Sequence, residues 1–135
     1  MSKAHPYQIL IPISSFDRNL LPNPQIPRDE LPVAIHEYLS KSLAGQGVNA
    51  RLMVSSEGIR VEWGKTQQDL IEVAVQLLKD GKYAEAILIL RGLVAESEPE
   101  PSVWFNLGLA LSDLGELEEA IIFLSQFVAS RPDDV

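Results

Sequence analysis

The sequence contains no cysteine among its 135 residues and only two histidines, His5 and His36. The missing cysteines exclude a disulfide scaffold, a thiolate zinc site and a cysteine nucleophile, and they favour a reducing compartment. No apolar run reaches the roughly 18–20 residues that a membrane helix needs. The apolar stretch near the start is interrupted by Pro12, which makes a poor signal peptide. We therefore expect a cytoplasmic protein with no membrane segment.

Acidic residues outnumber basic ones, with 19 Asp and Glu against 11 Lys and Arg, for a formal net charge of −8. The excess lies after residue 65, where four basic residues stand against thirteen acidic ones, whereas residues 1–65 carry seven against six. A protein that binds nucleic acid or anionic membranes needs a basic surface, so the charge argues against both. The asymmetry indicates two units, which we place at residues 1–65 and 66–135.

The second unit contains a 34-residue repeat, because residues 81–87 (GKYAEAI) align with residues 115–121 (GELEEAI). The two copies cover residues 67–100 and 101–134. In each copy, apolar residues at helical spacing precede a turn at Gly81 or Gly115 and resume after it, which predicts a helical hairpin. Small residues would let the paired helices approach closely, and they are Ala74, Ala86, Gly108 and Ala120.

The second copy carries a recognisable pattern, Trp104-x-x-Leu107-Gly108-x-x-Leu111, followed by Gly115, Ala120, Leu124 and Pro132. This pattern resembles the tetratricopeptide repeat. Leu111 stands where the family usually has tyrosine, and the first copy departs further, although its centre is similar. The resemblance implies an α-helical solenoid and a non-catalytic protein–protein interaction module, such as an adaptor, scaffold or assembly factor.

The resemblance also implies that the first helix of each repeat lines a concave groove. Eight positions would form the partner-binding groove: Ile71, Glu72, Val75, Leu78, Phe105, Asn106, Leu109 and Asp113. Relatives that clamp a terminal carboxylate use Lys and Asn in the first repeat, where this chain has Ile71 and Val75, so no clamp is expected. The apolar groove is either a docking surface or is covered by the first 65 residues.

The last predicted helix is apolar on nearly every side over residues 120–128. Its expected interface residues are Ile122, Phe123, Gln126 and Phe127. Natural arrays end in a helix with a polar outer face, so three alternatives stay open. The helix joins a second copy in a homo-oligomer, it binds a partner protein, or the chain stops before further repeats, since residues 131–135 resemble a link into another repeat.

The first unit is predicted to be a small β-α-β-β arrangement, so the fold class is α+β. Residues 7–13 alternate like a strand, and the prolines of residues 20–28 indicate an extended linker. Asp29 is placed to cap a helix that runs to about Leu43. Residues 50–54 and 59–63 then alternate on either side of a turn, which predicts a hairpin.

Nothing in the sequence indicates catalysis, a cofactor or a metal site, and we expect no enzyme. His36 falls on the polar side of its predicted helix. Glu116, Glu118 and Glu119 lie at the start of a helix, where acidic side chains interact favourably with the dipole. Two alternative functions remain open. The β-α-β-β unit binds RNA or a small molecule with the repeats as support, or the acidic repeats dock a basic partner.

Overall fold

The computed structural model describes residues 6–130, which contain three strands and five α-helices. The strands are β1 (Gln8–Pro12), β2 (Arg51–Val54) and β3 (Gly58–Glu62). The helices are α1 (Leu31–Ala44), α2 (Gln67–Lys79), α3 (Tyr83–Val94), α4 (Pro101–Asp113) and α5 (Leu117–Ala129). The order β1, α1, β2, β3 followed by two helical hairpins confirms the predicted α+β class.

The three strands form one antiparallel sheet with β3 in the centre, in the order β1-β3-β2. Val61 of β3 lies opposite Ile9 of β1 and Leu52 of β2. One face of the sheet is apolar and buried, and its residues are Ile9, Ile11, Leu52, Ile59 and Val61. Because side chains alternate along a strand, the other face is exposed, and this two-layer arrangement requires helices on the apolar face.

Two helices cover that face, α1 against β2 and α3 against β1. The approach of α3 is close because Gly92 has no side chain: a Cβ at this position would lie 2.7 Å from Cγ1 of Ile11 and 2.8 Å from Cδ1 of Ile9. The first 65 residues therefore pack mainly on the second helix of the first hairpin.

Helix α3 lies at the centre of the molecule, between the sheet and the other helices. A helix that is apolar on all sides must be covered on all sides, and α3 fits this rule. Its buried residues are Glu85, Ala86, Ile87, Leu88, Ile89, Leu90, Gly92 and Leu93. The buried core is continuous from the sheet to α5.

The hairpins follow the predicted repeat. Gly81 and Gly115 have φ angles of +77° and +82° in the two turns, a conformation that glycine adopts without strain. In the second hairpin a Cβ on Gly108 would lie 2.6 Å from Cγ of Leu124, so this glycine permits the close helix crossing. Helix α2 begins with a capping box, in which the Thr66 side chain accepts a hydrogen bond from the Asp69 amide.

Three details differ from the predictions. The linker is not wholly extended, because 3-10 turns occupy Arg18–Leu20 and Arg28–Glu30. Asp29 lies within the second turn and does not cap α1, which begins at Leu31 after Glu30. Ile121, one of the apolar residues whose spacing predicted the second hairpin, is 63% exposed. The division at residue 65 stays a prediction. His5 and residues 131–135 lie outside the described residues.

Candidate partner-binding surface

The residues predicted for the groove differ in how far they reach the surface. Ile71 is 2% exposed and belongs to the core, whereas Phe105 and Leu109 are 38% and 42% exposed. Three of the remaining members are half-buried, namely Val75, Leu78 and Asn106. The other two, Glu72 and Asp113, are exposed. The apolar surface of the predicted groove is therefore carried mainly by α4.

Glu72 is directed towards the first half of the chain. It lines a cavity of about 490 Å³ together with Trp63, Val73 and Gln76. Helices α2 and α4 do contact each other, but the turn of α2 that carries Glu72 faces the end of the sheet. The structure does not bring this residue together with Phe105 and Leu109.

The polar groove positions already have contacts inside the chain. The Asn106 amide donates a 2.9 Å hydrogen bond to the carbonyl of Ser102, one turn earlier in α4. The Tyr83 hydroxyl lies 3.5 Å from a carboxylate oxygen of Asp113. Asn106 is thus engaged by its own helix, and the absence of a carboxylate clamp stays a prediction.

Helix α5 is the most exposed apolar element among residues 6–130. Ala120 is its only buried residue. Of the predicted interface, Ile122 is 58% exposed, Gln126 is exposed, and Phe123 and Phe127 are half-buried. Phe127 packs on Phe105 with 5.0 Å between ring centroids, which joins this interface to the exposed edge of the predicted groove.

Sequence reasoning did not identify three exposed apolar residues of α5 as part of a surface. Leu117, Ile121 and Val128 are 58%, 63% and 68% exposed. With the half-buried Leu124, they recur at intervals of four, three and four residues, which places them on one stripe of the helix. That spacing is visible in the sequence, but the same spacing also describes a buried stripe, so it could not distinguish a surface from a core.

The 34-residue repeat relates exposed apolar residues of α5 to residues of α3. Ile121 and Ile122 correspond to Ile87 and Leu88, which are 9% and 4% exposed. In the first repeat, β1 and α4 both pack on α3. In the second, α4 is the one described element that packs extensively on α5. The same apolar positions are thus covered in one repeat and open in the other.

Acidic side chains stand at the start of this open stripe. Glu116 precedes α5, and Glu118 and Glu119 lie in its first turn. Arg91 of α3 hydrogen-bonds Glu119 and thereby lowers the pKa of its carboxyl. Glu116 and Glu118 make no ion pair with residues 6–130, so the stripe has a negatively charged end.

The arrangement of an α+β unit followed by two helical hairpins of fixed period defines a helical-repeat protein. The family model for the tetratricopeptide repeat matches residues 77–135, and this segment carries a tetratricopeptide repeat, as its motif predicted. The match leaves the first half of the chain outside it. Tetratricopeptide repeats generally serve as protein–protein interaction modules and are typically non-catalytic. No curated protein and no solved structure matches the chain.

Two further properties concern the described residues alone. None of their helices has both the length and the apolar character needed to cross a membrane. Nowhere in residues 6–130 do three or more His, Asp or Glu side chains come together in a way that could hold a metal ion.

Proposed function

We propose that the protein is a non-catalytic adaptor that binds an amphipathic helix of a partner protein along α5. The observation that carries the proposal is the contrast between equivalent positions of the two repeats. Ile87 and Leu88 are buried, whereas Ile121 and Ile122 are 63% and 58% exposed. Contiguous exposed apolar surface of this kind marks interaction sites.

A helix is the natural occupant because a helix already occupies the equivalent place in the first repeat. Helix α4 packs on α3, and no helix of residues 6–130 stands beside α5 in the corresponding position. A partner helix with apolar residues at intervals of three and four would bury the stripe of Leu117, Ile121 and Val128. Helix-in-groove binding of this type is a recurring mode of peptide recognition.

The charge of the surface favours a partner helix with basic flanks. Glu116 and Glu118 stand at the first turn of α5 without an ion pair among the described residues. Lysine or arginine on the partner would meet them, and this attraction should weaken as salt screens it. The hypothesis that the acidic repeats dock a basic partner is in this way part of the same proposal.

The predicted groove contributes a second contact region in this proposal. Phe105 is partly exposed and packs on Phe127, so a helix lying on α5 would reach α4 at this ring pair. Leu109, 42% exposed, extends the apolar surface along α4.

The absence of cysteine supports a cytoplasmic location, which we include in the proposal.

The proposal is tested with a fluorescent peptide that has the sequence of residues 99–114, because α4 is the helix that covers the equivalent surface of α3. We expect saturable binding by fluorescence anisotropy, weakened at least about tenfold by Ile121→Ser. A peptide with added lysines at its ends should bind more tightly at low salt. Met53→Ser is the matched control, since Met53 is 40% exposed on the outer face of the sheet.

Binding that Ile121→Ser leaves unchanged, or no saturable binding at all, would contradict the proposal. Light scattering over a concentration series tests whether a second copy of the chain, and not a partner helix, covers the stripe of α5. A dimer that dissociates in the Ile121→Ser variant would assign the stripe of α5 to a second copy of the chain instead of a partner helix.

A further inference from the structure

A cavity of about 590 Å³ lies between α1, the start of α3 and the segment that precedes α1. Its apolar wall includes Leu21 and Ile26 from that segment and Ala34 from α1. The volume is within the range of about 300–1,000 Å³ that is typical of small-molecule sites. The cavity is separate from α5, which contributes no residue to its lining.

A buried carboxylate forms part of this cavity. Glu85 is 9% exposed and is the one buried charged residue of residues 6–130. The Ser42 hydroxyl donates a 2.8 Å hydrogen bond to its Oε2. Burial, and then the charge of Glu85, raise the pKa of Tyr38 above its usual value, so the Tyr38 hydroxyl is also close to this carboxylate.

Glu85 nevertheless has no cationic partner. No lysine or arginine of residues 6–130 makes an ion pair with it. A carboxylate offers about four acceptor positions, and the Ser42 hydroxyl accounts for one. A buried charge is ordinarily paired, so an ammonium group in the cavity would supply the missing partner.

The cavity also contains cations without partners. Lys41 of α1 and Lys82 at the start of α3 both line it, and neither makes an ion pair with a described residue. Glu37 lines it too and, despite its i,i+4 spacing, is not paired with Lys41. Two lysines and two glutamates make the lining neutral overall, with acceptors and cations on the same walls.

From this combination we propose that the cavity binds a zwitterionic ligand with an apolar side chain, either a free amino acid or a short peptide. Its ammonium group pairs with Glu85, and its side chain packs against Leu21 and Ile26. Its carboxylate pairs with Lys82, which is half-buried in the cavity wall whereas Lys41 is exposed. This inference is independent of the surface on α5.

The test uses the ¹⁵N-labelled full chain and L-phenylalanine as the probe. We expect saturable chemical-shift changes at the amides of Tyr38, Ser42 and Glu85. Phenylalaninamide lacks the carboxylate and 3-phenylpropanoate lacks the ammonium group, so each should bind at least about tenfold more weakly. The dipeptide leucyl-phenylalanine distinguishes the two sources of the ligand: tighter binding of the dipeptide identifies a peptide, and tighter binding of phenylalanine a free amino acid.

Variants test the two charged contacts separately. Glu85→Gln retains an acceptor for Ser42 but removes the charge, and Lys82→Met removes a cation without touching Glu85. Each should weaken binding at least about tenfold, whereas Lys79→Met, which replaces an exposed lysine of α2 outside the cavity, should not. The inference is overturned if neither zwitterion causes saturable shifts at these amides, if the truncated analogues bind equally well, or if both cavity variants bind like the wild type.

Discussion

The guanidinium of Arg91 in α3 donates two hydrogen bonds to the carboxylate of Glu119 in α5, 2.7 Å from Nη1 to Oε2 and 2.9 Å from Nη2 to Oε1. It is the one ion pair found among residues 6–130. The pair joins the second helices of the two hairpins, which otherwise meet mainly through α4. Bidentate geometry of this kind makes it more specific than a single contact.

The pair should make stability depend on acid. The hydrogen bonds from Arg91 hold the pKa of Glu119 below its ordinary 4.5. A lowered folded-state pKa means that the stabilisation is present above pH 4.5 and is lost as pH falls through the folded value. Because both side chains are partly exposed, Glu119→Gln should cost no more than about 1 kcal/mol at neutral pH.

Urea unfolding at pH 7 and at pH 3 measures this effect. The difference between wild type and Glu119→Gln should shrink in acid, because protonation of the glutamate weakens its attraction for Arg91. Glu118→Gln is the matched control, since Glu118 makes no ion pair with a described residue. A constant difference at both pH values would contradict the assignment.

Tyr7 provides a second titration, at the alkaline end. Its hydroxyl donates a 2.8 Å hydrogen bond to Oε1 of Glu96. Burial, and then this hydrogen bond, raise the pKa of Tyr7 from 10.0 to about 12. A raised folded-state pKa means that the stabilisation is complete below pH 10 and is lost as pH rises towards 12.

Absorbance of the phenolate follows this ionisation directly. We expect a titration step near pH 12 that disappears in Tyr7→Phe and persists in Tyr83→Phe. Removal of Glu96 by Glu96→Gln should move the step to lower pH, because a neutral amide no longer disfavours the phenolate. A step that is unaffected by Tyr7→Phe would show that another tyrosine produces it.

The fold of the second half could be predicted from the sequence because the repeat itself specifies packing. Positions such as Ala86 and Leu90 recur as Ala120 and Leu124, so the period predicts which residues face the partner helix of each hairpin. The glycine turns at Gly81 and Gly115 mark the hairpins for the same reason. These are local rules, and the structure places both turns at the predicted glycines.

The features that could not be predicted depend on contacts between the two halves. Glu72 lines a cavity with Trp63 because of where the first half packs, which the repeat does not encode. Glu85 occupies the polar position of an amphipathic pattern, yet α1 covers it through Ser42. Gly92 gave no signal, because a glycine inside a helix is informative only when the neighbour that approaches it is known.

Gly92 therefore makes a stringent test of the packing between the halves. A methyl group in Gly92→Ala would meet the buried side chains of Ile9 and Ile11, and such overpacking costs about 1–3 kcal/mol. Alanine recovers about 1 kcal/mol through its helix propensity. We expect a net loss of up to about 2 kcal/mol, measured by urea unfolding followed by tryptophan fluorescence.

Gly45→Ala is the matched control for this substitution. Gly45 has a φ of −62°, and a Cβ there would lie 3.5 Å from its nearest neighbours, the carbonyl oxygens of Lys41 and Ser42. That is an ordinary contact, so the change should be neutral or slightly stabilising. Equal destabilisation by both variants would mean that α3 does not approach β1 as closely as the structure places it.

The contrast between the repeats can be measured without any partner, by one substitution at two equivalent positions. Ile87 is 9% exposed and Ile121 is 63% exposed. Ile87→Ala removes buried methylene and methyl groups and should cost about 2–4 kcal/mol. Ile121→Ala changes a surface already in contact with water and should stay within about 0.5 kcal/mol. Because residue type, helix position and substitution are the same, the difference isolates burial. A large cost for Ile121→Ala at low protein concentration would mean that the chain itself covers α5, and the proposed docking surface would then have to be abandoned.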